Sequence, residues 1–346
     1  MQNPRVATVA QLSDYDEIID VRSPAEYAED HIPGAISAPV LDDEQRAQVG
    51  TLYTQVSPFE AKKLGATLIA RNIAHHLDNL FCDKPKRWKP LVYCWRGGQR
   101  SGAMAHILAQ VGWSTGRLEG GYKTYRRQVL ADLETLPDVL QFRVVCGPTG
   151  SGKSRLLHAL HGQGGQVLDL EALAQHRGSL LGNLPHEAQP AQKMFESRIW
   201  DALRHFDPLR PVFVEAESKK IGLISMPEAL LQKIRSSDCL LIEAPVQARV
   251  ALLMEDYRHF LNDPALLIAR LTPLLPLHGR QILDHWQQLA ELGAWPELVE
   301  KLLIQHYDPA YRRSTANNFI HLDAAKLLLL EHLDEESLRT AATSLL

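Results

Sequence analysis

The sequence predicts two α/β domains, each built on a parallel sheet, the first with a helical insertion and the second with a largely helical extension. Three observations carry that expectation. Short apolar runs that end at polar loops recur along the chain, as strands buried on both faces of a sheet do, and helix-patterned segments separate them. A chain of 346 residues, 45% of them hydrophobic, is long enough to fill two cores. The stretch Asp132 to Leu140 (DLETLPDVL) contains a proline and precedes a fresh strand, which sets the expected domains at 1–135 and 136–346.

In the first domain, Asp16 to Val21 (DEIIDV) and Pro90 to Tyr93 (PLVY) read as strands, with Asp42 to Asp78 between them as the helical insertion. In the second, strands are expected at Phe142 to Cys146, Gln166 to Leu170, Pro211 to Glu215 and Cys239 to Glu243. Val246 to Gln305 is almost wholly helical in pattern, and a last strand, Phe319 to Leu322, precedes terminal helices. No run is apolar enough to span a membrane, and the start MQNPRVATVAQL lacks the regions of a signal peptide, so a cytoplasmic protein without membrane association is expected. Cys82, Cys94, Cys146 and Cys239 lie far apart without metal-type spacing, which argues against a disulfide framework or structural zinc. A net charge of −4 argues against indiscriminate coating of nucleic acid but allows a local basic surface.

The segment Gly147-Pro148-Thr149-Gly150-Ser151-Gly152-Lys153-Ser154 fits G-x-x-x-x-G-K-[ST] in full, directly after an apolar strand and before the helical RLLHALHG. Glycines let successive backbone N–H groups turn inward onto phosphate oxygens, and the helix that follows adds its positive end. Lys153 is expected to neutralise the terminal phosphates. Ser154 is expected to offer its hydroxyl to Mg²⁺, with Glu215 or Glu217 completing the metal shell. A nucleotide and an isoprenoid diphosphate look alike to such a loop, and no tightly bound organic cofactor is expected.

Cys94 follows the strand LVY and opens Cys94-Trp95-Arg96-Gly97-Gly98-Gln99-Arg100-Ser101, ahead of a helical run. A cysteine between a strand end and a helix start sits where N–H groups converge and the dipole favours an anionic, nucleophilic sulfur. Arg96 and Arg100 add charge suited to an oxyanion such as phosphate or thiosulfate. Trp95 suits either stacking on a base or packing under the loop. Cys146 and Cys239, in apolar strands, read as structural, and Cys82 as a surface residue.

These residues resemble the rhodanese domain. Ile19-Asp20-Val21-Arg22-Ser23-Pro24-Ala25-Glu26-Tyr27 with His31-Ile32-Pro33-Gly34-Ala35 is similar to its N-terminal signature, and Glu119-Gly120-Gly121-Tyr122 to its closing one. Six steps separate Cys94 from Arg100, where sulfurtransferases of this fold usually have five. That spacing resembles Cdc25-type phosphatases, and a roomier loop suits selenium or a phosphoryl group. Together with Asp169-Leu170-Glu171, His176-Arg177-Gly178-Ser179, the run from Glu215 to Gly222, the insertion Arg46 to Gly50 and Gly65, nearly the whole chain resembles the tRNA 2-selenouridine synthase family. The resemblance implies replacement of sulfur by selenium in wobble 2-thiouridine of tRNAs for Lys, Glu and Gln. It implies S-geranylation from geranyl diphosphate first and selenophosphate as selenium donor, with Cys94 engaging that donor. Asp169, His176, Arg177, Glu215, Glu217 and Lys219 are then substrate-pocket candidates.

Transfer RNA requires phosphate contacts, and three basic clusters interleaved with aromatics qualify. They are Lys84, Lys86, Arg87 and Lys89 around Trp88; Lys123, Arg126 and Arg127 around Tyr125; and Arg312 and Arg313 beside Tyr311. Each equally suits a solvated surface run. The rival functions are an ATP-dependent sulfurtransferase or kinase fusion, a phosphatase using Cys94 and Arg100, and a decayed rhodanese serving as a binding module. The intact Cys94, Arg100, Lys153 and Ser154 weigh against the last.

Overall fold

A computed structural model describes residues 3–183 and 187–346. The chain forms two compact units, residues 1–132 with 191–201, and residues 133–190 with 202–346. In the first unit, β1 (Arg5–Ala7), β2 (Glu17–Asp20), β3 (Ile36–Ser37), β4 (Pro90–Tyr93) and β5 (Gly116–Leu118) form one parallel sheet in the order β1-β5-β4-β2-β3. The central strand β4 is buried along its length, which accounts for its unbroken apolar run. Ile19, Val21, Val92, Met104 and Leu108 close on Trp88 and Trp113 to make the core. The expected insertion forms two helices, Asp43–Gln55 and Pro58–Asn79, the first capped by Asp42 accepting from the Gln45 N–H at 2.7 Å.

In the second unit, β6 (Gln141–Cys146), β7 (Gln166–Leu168), β8 (Pro211–Glu215), β11 (Asp238–Glu243) and β12 (Lys326–Leu329) form a parallel sheet in the order β12-β11-β6-β8-β7. A two-stranded antiparallel ribbon, β9 (Lys220–Ile221) with β10 (Ile224–Ser225), stands apart. β6 lies centrally, so the turn at its C-terminal end opens where ligands bind in sheets of this kind. A helical subcluster, 246–302, packs Leu267, Leu271, Leu298 and Leu302 around the fully buried Trp286. Among the described residues no helix is long and apolar enough to cross a membrane.

The two units divide at Asp132, within the stretch expected, although helix Gly121–Val139 runs through it. One expectation changes: Phe319 to Leu322 is not a strand. Phe319 ends helix Asp308–Asn318, and the Ile320 N–H donates to the Arg235 carbonyl, so the chain is still turning there. Pairing begins at Lys326, which takes register with Leu240.

Candidate functional site

The first unit builds its site at the C-terminal end of β4. Asp20 and Arg22, both buried, form a two-point ion pair, with Arg22 Nε 3.0 Å from Oδ1 and Nη2 2.6 Å from Oδ2. Tyr93 donates to Asp20 at 2.7 Å, Arg22 donates to the Asp30 carbonyl at 2.6 Å, and Tyr122 donates to Asp30 at 2.7 Å. The signature residues near both ends of the domain thus form one hydrogen-bonded network, which fixes Tyr122 beneath the cysteine loop. The Tyr122 and Lys123 N–H groups donate to the carbonyls of Cys94 and Trp95 at 2.8 and 3.0 Å. Gly121 is required there: its φ is +58°, and a β-carbon would lie 2.1 Å from the Cys94 oxygen.

Cys94 is only 3% exposed, yet its sulfur has polar neighbours, the Gly98 N–H at 3.3 Å and Ser101 Oγ at 3.2 Å. Ser101, not singled out as a site residue from the sequence, thereby lies against the Cys94 sulfur. Arg100 pairs with Glu26 at 2.8 Å, and Glu26 also accepts from the Ser23 N–H at 3.1 Å. Arg96 is exposed on the loop, and Trp95, 38% exposed, stacks on Tyr122 at 5.2 Å.

The second unit builds an anion cradle after β6. Gly147, Gly150 and Gly152 all take positive φ, and Thr149, Gly150, Lys153 and Ser154 help line a pocket of about 360 Å³. Lys153 donates to the Gly147 carbonyl at 2.9 Å, Ser151 is buried, and the Gly147 N–H donates to Tyr311 at 2.6 Å. Arg249, 3% exposed, donates twice to the Thr149 carbonyl at 2.9 and 2.8 Å and pairs with Asp308 at 2.6 Å. Tyr311 and Arg249 brace the loop from segments distant in sequence.

Ser154 donates to Glu171 at 3.3 Å, and carboxylate oxygens of Glu171, Glu215 and Glu217 lie within 4.8 Å of one another. Burial, then repulsion from Glu215 and Glu217, pushes the Glu171 carboxyl up to about 9. Burial and Glu215 push Glu217 up to about 7, and burial also raises Glu215. One oxygen of Glu215, Oε1, is buried without a hydrogen-bond partner. Crowded oxygens, an orphaned acceptor and an adjacent hydroxyl fit a hard divalent cation such as Mg²⁺. Glu171 joins the ligand candidates Ser154, Glu215 and Glu217; its place in the cluster comes from the first turn of helix Leu170–Ala174, after β7.

The other pocket candidates separate. Arg177 lines the cradle, donating to the Asp256 carbonyl at 2.7 Å with its guanidinium 4.9 Å from the Tyr257 ring centre. His176 is buried and accepts from the Gly178 N–H at 3.1 Å, a contact that shapes the Arg177 turn. Asp169 caps helix Leu170–Ala174 and pairs with His158 at 3.2 Å, and Lys219 pairs with Glu228 at 2.9 Å away from the cradle lining. The cradle adjoins a second chamber with which it shares Thr149, Ser179, Leu253, Tyr257 and Tyr307. Every residue that lines only that chamber is apolar, Phe260, Leu267, Leu298 and Leu302 among them.

The expected base-stacking rings of the basic clusters are not available. Trp88 and Tyr125 are in the first unit's core, and Tyr311 serves the phosphate loop, because burying an aromatic side chain outweighs leaving it in water. Lys84 pairs with Glu17, and Arg126 pairs with Glu196 and donates to the Lys193 carbonyl at 3.2 Å. Lys86, Arg87, Lys89, Lys123, Arg127, Arg312 and Arg313 are exposed. Cys146 and Cys239 are buried and Cys82 is exposed.

Comparison with known proteins follows the same division. Residues 6–128 match the rhodanese-like domain, and residues 140–266 match the tRNA 2-selenouridine synthase AAA domain. A tRNA 2-selenouridine synthase of Bdellovibrio bacteriovorus is 36% identical over 342 residues, 85% of this chain and 87% of that protein. One from Nitrosomonas europaea is 34% identical over 244 residues, 69% of this chain and 63% of its own length. A third, from Shewanella halifaxensis, is 29% identical over 324 residues, with 85% of this chain and 87% of that protein covered. With a rhodanese fold around Cys94, a phosphate cradle after β6 and relatives of this similarity, the chain belongs to the tRNA 2-selenouridine synthase family.

Proposed function

We propose that the chain replaces sulfur by selenium in wobble 2-thiouridine of tRNAs for Lys, Glu and Gln, first alkylating the sulfur from geranyl diphosphate and then taking selenium from selenophosphate. One observation supports an isoprenoid diphosphate over a nucleotide at the cradle. The chamber beside the phosphate loop, about 60 Å³, is walled mainly by hydrocarbon and aromatic side chains, which suit the start of a prenyl chain, and its hydroxyls, on Thr149, Ser179, Tyr257 and Tyr307, belong to residues that it shares with the cradle. Burial of such a chain contributes roughly 0.8 kcal/mol per methylene.

In the first step Lys153 and the loop N–H groups hold the diphosphate, and Arg177 lies within reach of the same pocket. A bound Mg²⁺, held by Ser154, Glu171, Glu215 and Glu217, would supply further neutralisation of the leaving diphosphate. The nucleobase sulfur forms a bond to the first carbon of the geranyl group, that carbon releases its bonding pair to diphosphate, and N3 of the base gives up its proton to solvent. In the second step the selenium of selenophosphate attacks carbon 2 of the base. The carbon–sulfur bond breaks with its electron pair on sulfur, geranyl thiolate leaves and takes up a proton, water removes phosphate from selenium, and N3 regains its proton. Cys94 would engage the selenium donor, with Arg96 and Arg100 as the cations for its phosphate.

The test incubates the chain with 2-thiouridine tRNA, geranyl diphosphate and selenophosphate and analyses nucleosides by mass. Cys94→Ala is expected to abolish selenation while geranylation continues; Lys153→Ala should slow geranylation at least tenfold. Nucleotide hydrolysis without geranyl transfer, or equal geranylation by the lysine variant, would overturn the assignment.

A further inference from the structure

The helical insertion of the first unit lines a groove of its own. Residues of helices Asp43–Gln55, Pro58–Asn79 and Gln99–Val111 surround about 930 Å³ of space. Val49, Ile69, Ile73 and Ile107 give it an apolar lining, and the small side chains of Ala66 and Ala70 leave it open. Its charged lining is of one sign, Arg46, Lys62 and Arg100, the last paired with Glu26 outside the groove, and no carboxylate lines it. Its lining includes Gln99 and Arg100, in the first turn of the helix that follows the Cys94 loop. A hydrocarbon trough bordered by cations complements an apolar chain attached to a polyanion. The shared helix places part of that trough next to the cysteine loop.

We propose that this groove holds the isoprenyl chain of the S-alkylated tRNA while carbon 2 of the base reacts beside Cys94. The inference rests on the two-step reading above. It gives the leaving thiolate's hydrocarbon a place out of water through the exchange, and it makes the alkyl group a recognition element as well as a means of activating sulfur.

The experiment titrates the full chain with anticodon stem-loops carrying either S-geranyl-2-thiouridine or S-methyl-2-thiouridine, and follows selenation of the preformed geranyl-tRNA. The unaltered chain is expected to bind the geranyl stem-loop at least tenfold more tightly than the methyl one. Ala70→Trp, at an exposed position that fills the groove, should erase that preference and slow selenation at least tenfold. Should the tryptophan variant not fold, Ile107→Asn on another lining helix carries the same expectation. Equal binding of the two stem-loops by the unaltered chain, or a preference that survives these groove variants, overturns the proposal. A chain that shows the groove-dependent preference yet never geranylates 2-thiouridine tRNA would sink the two-step reading alone.

Discussion

Glu26 ties three features together: it caps the helix that begins at Pro24, anchors Arg100, and so holds the first turn of the helix after the cysteine loop. Burial raises its pKa, but the Arg100 hydrogen bond and charge, with the Ser23 N–H, outweigh burial and leave it below the usual carboxylate value. A depressed folded pKa means that its stabilisation is present above the unfolded value of about 4.3 and is lost as pH falls through the lower folded value. Glu26→Gln should therefore melt below the unaltered chain at neutral pH, and the gap should close in acid. Thermal melts of both proteins across that range provide the check; a gap of unchanged size at the acid end would contradict the assignment. Motif residues such as Cys94 and Lys153 were legible at this scale because their neighbours in sequence announce them. Arg126 was not: its charge pairs with Glu196, seventy positions away, which no local pattern reveals.

Elements from distant parts of the chain support the phosphate loop. Helix Val246–Asp256 contributes Arg249, and helix Asp308–Asn318 contributes Asp308 and Tyr311, so the extension read only as helical pattern braces the cradle. Removing one partner of a buried ion pair typically costs about 3–5 kcal/mol, because the other charge is left without its counterion. Arg249→Leu should accordingly lower stability by about 3 kcal/mol and raise the KM for the diphosphate donor proposed above, since the Thr149 carbonyl loses both donors. Chemical denaturation and initial-rate kinetics read the two effects separately; unchanged KM would show that the loop holds its shape without this brace. Strands β2, β4, β6, β7, β8 and β11 were readable as apolar runs, whereas β1, β3 and β5, of two or three residues each, lie in segments without a sustained apolar run.

The first unit is discontinuous in sequence, because residues 191–201 fold with residues 1–132. Tyr125 meets Trp200 edge to face at 5.4 Å, Trp200 donates to Asp132 at 2.7 Å, and Lys193 pairs with Glu29 at 2.6 Å. A fragment of residues 1–135 lacks all three contacts and exposes the ring of Tyr125. It should unfold at lower denaturant than a fragment supplied with a peptide of residues 188–204, as followed by circular dichroism. A peptide without effect would show that the segment adds nothing to the unit's stability.

By itself the sequence determined the two α/β architectures, the positions of the cysteine and phosphate loops, and the resemblance that names their family. These depend on local patterns: an apolar run, a glycine spacing, a signature of consecutive residues. Only the tertiary structure decided which carboxylates converge, that Tyr311 and Arg249 serve the phosphate loop, that the aromatics of the basic clusters turn inward, and that a groove lies beside Cys94. The physical reason is that burial, ion pairing and cavity formation depend on which segments meet in space, and that information is distributed over residues far apart in the chain.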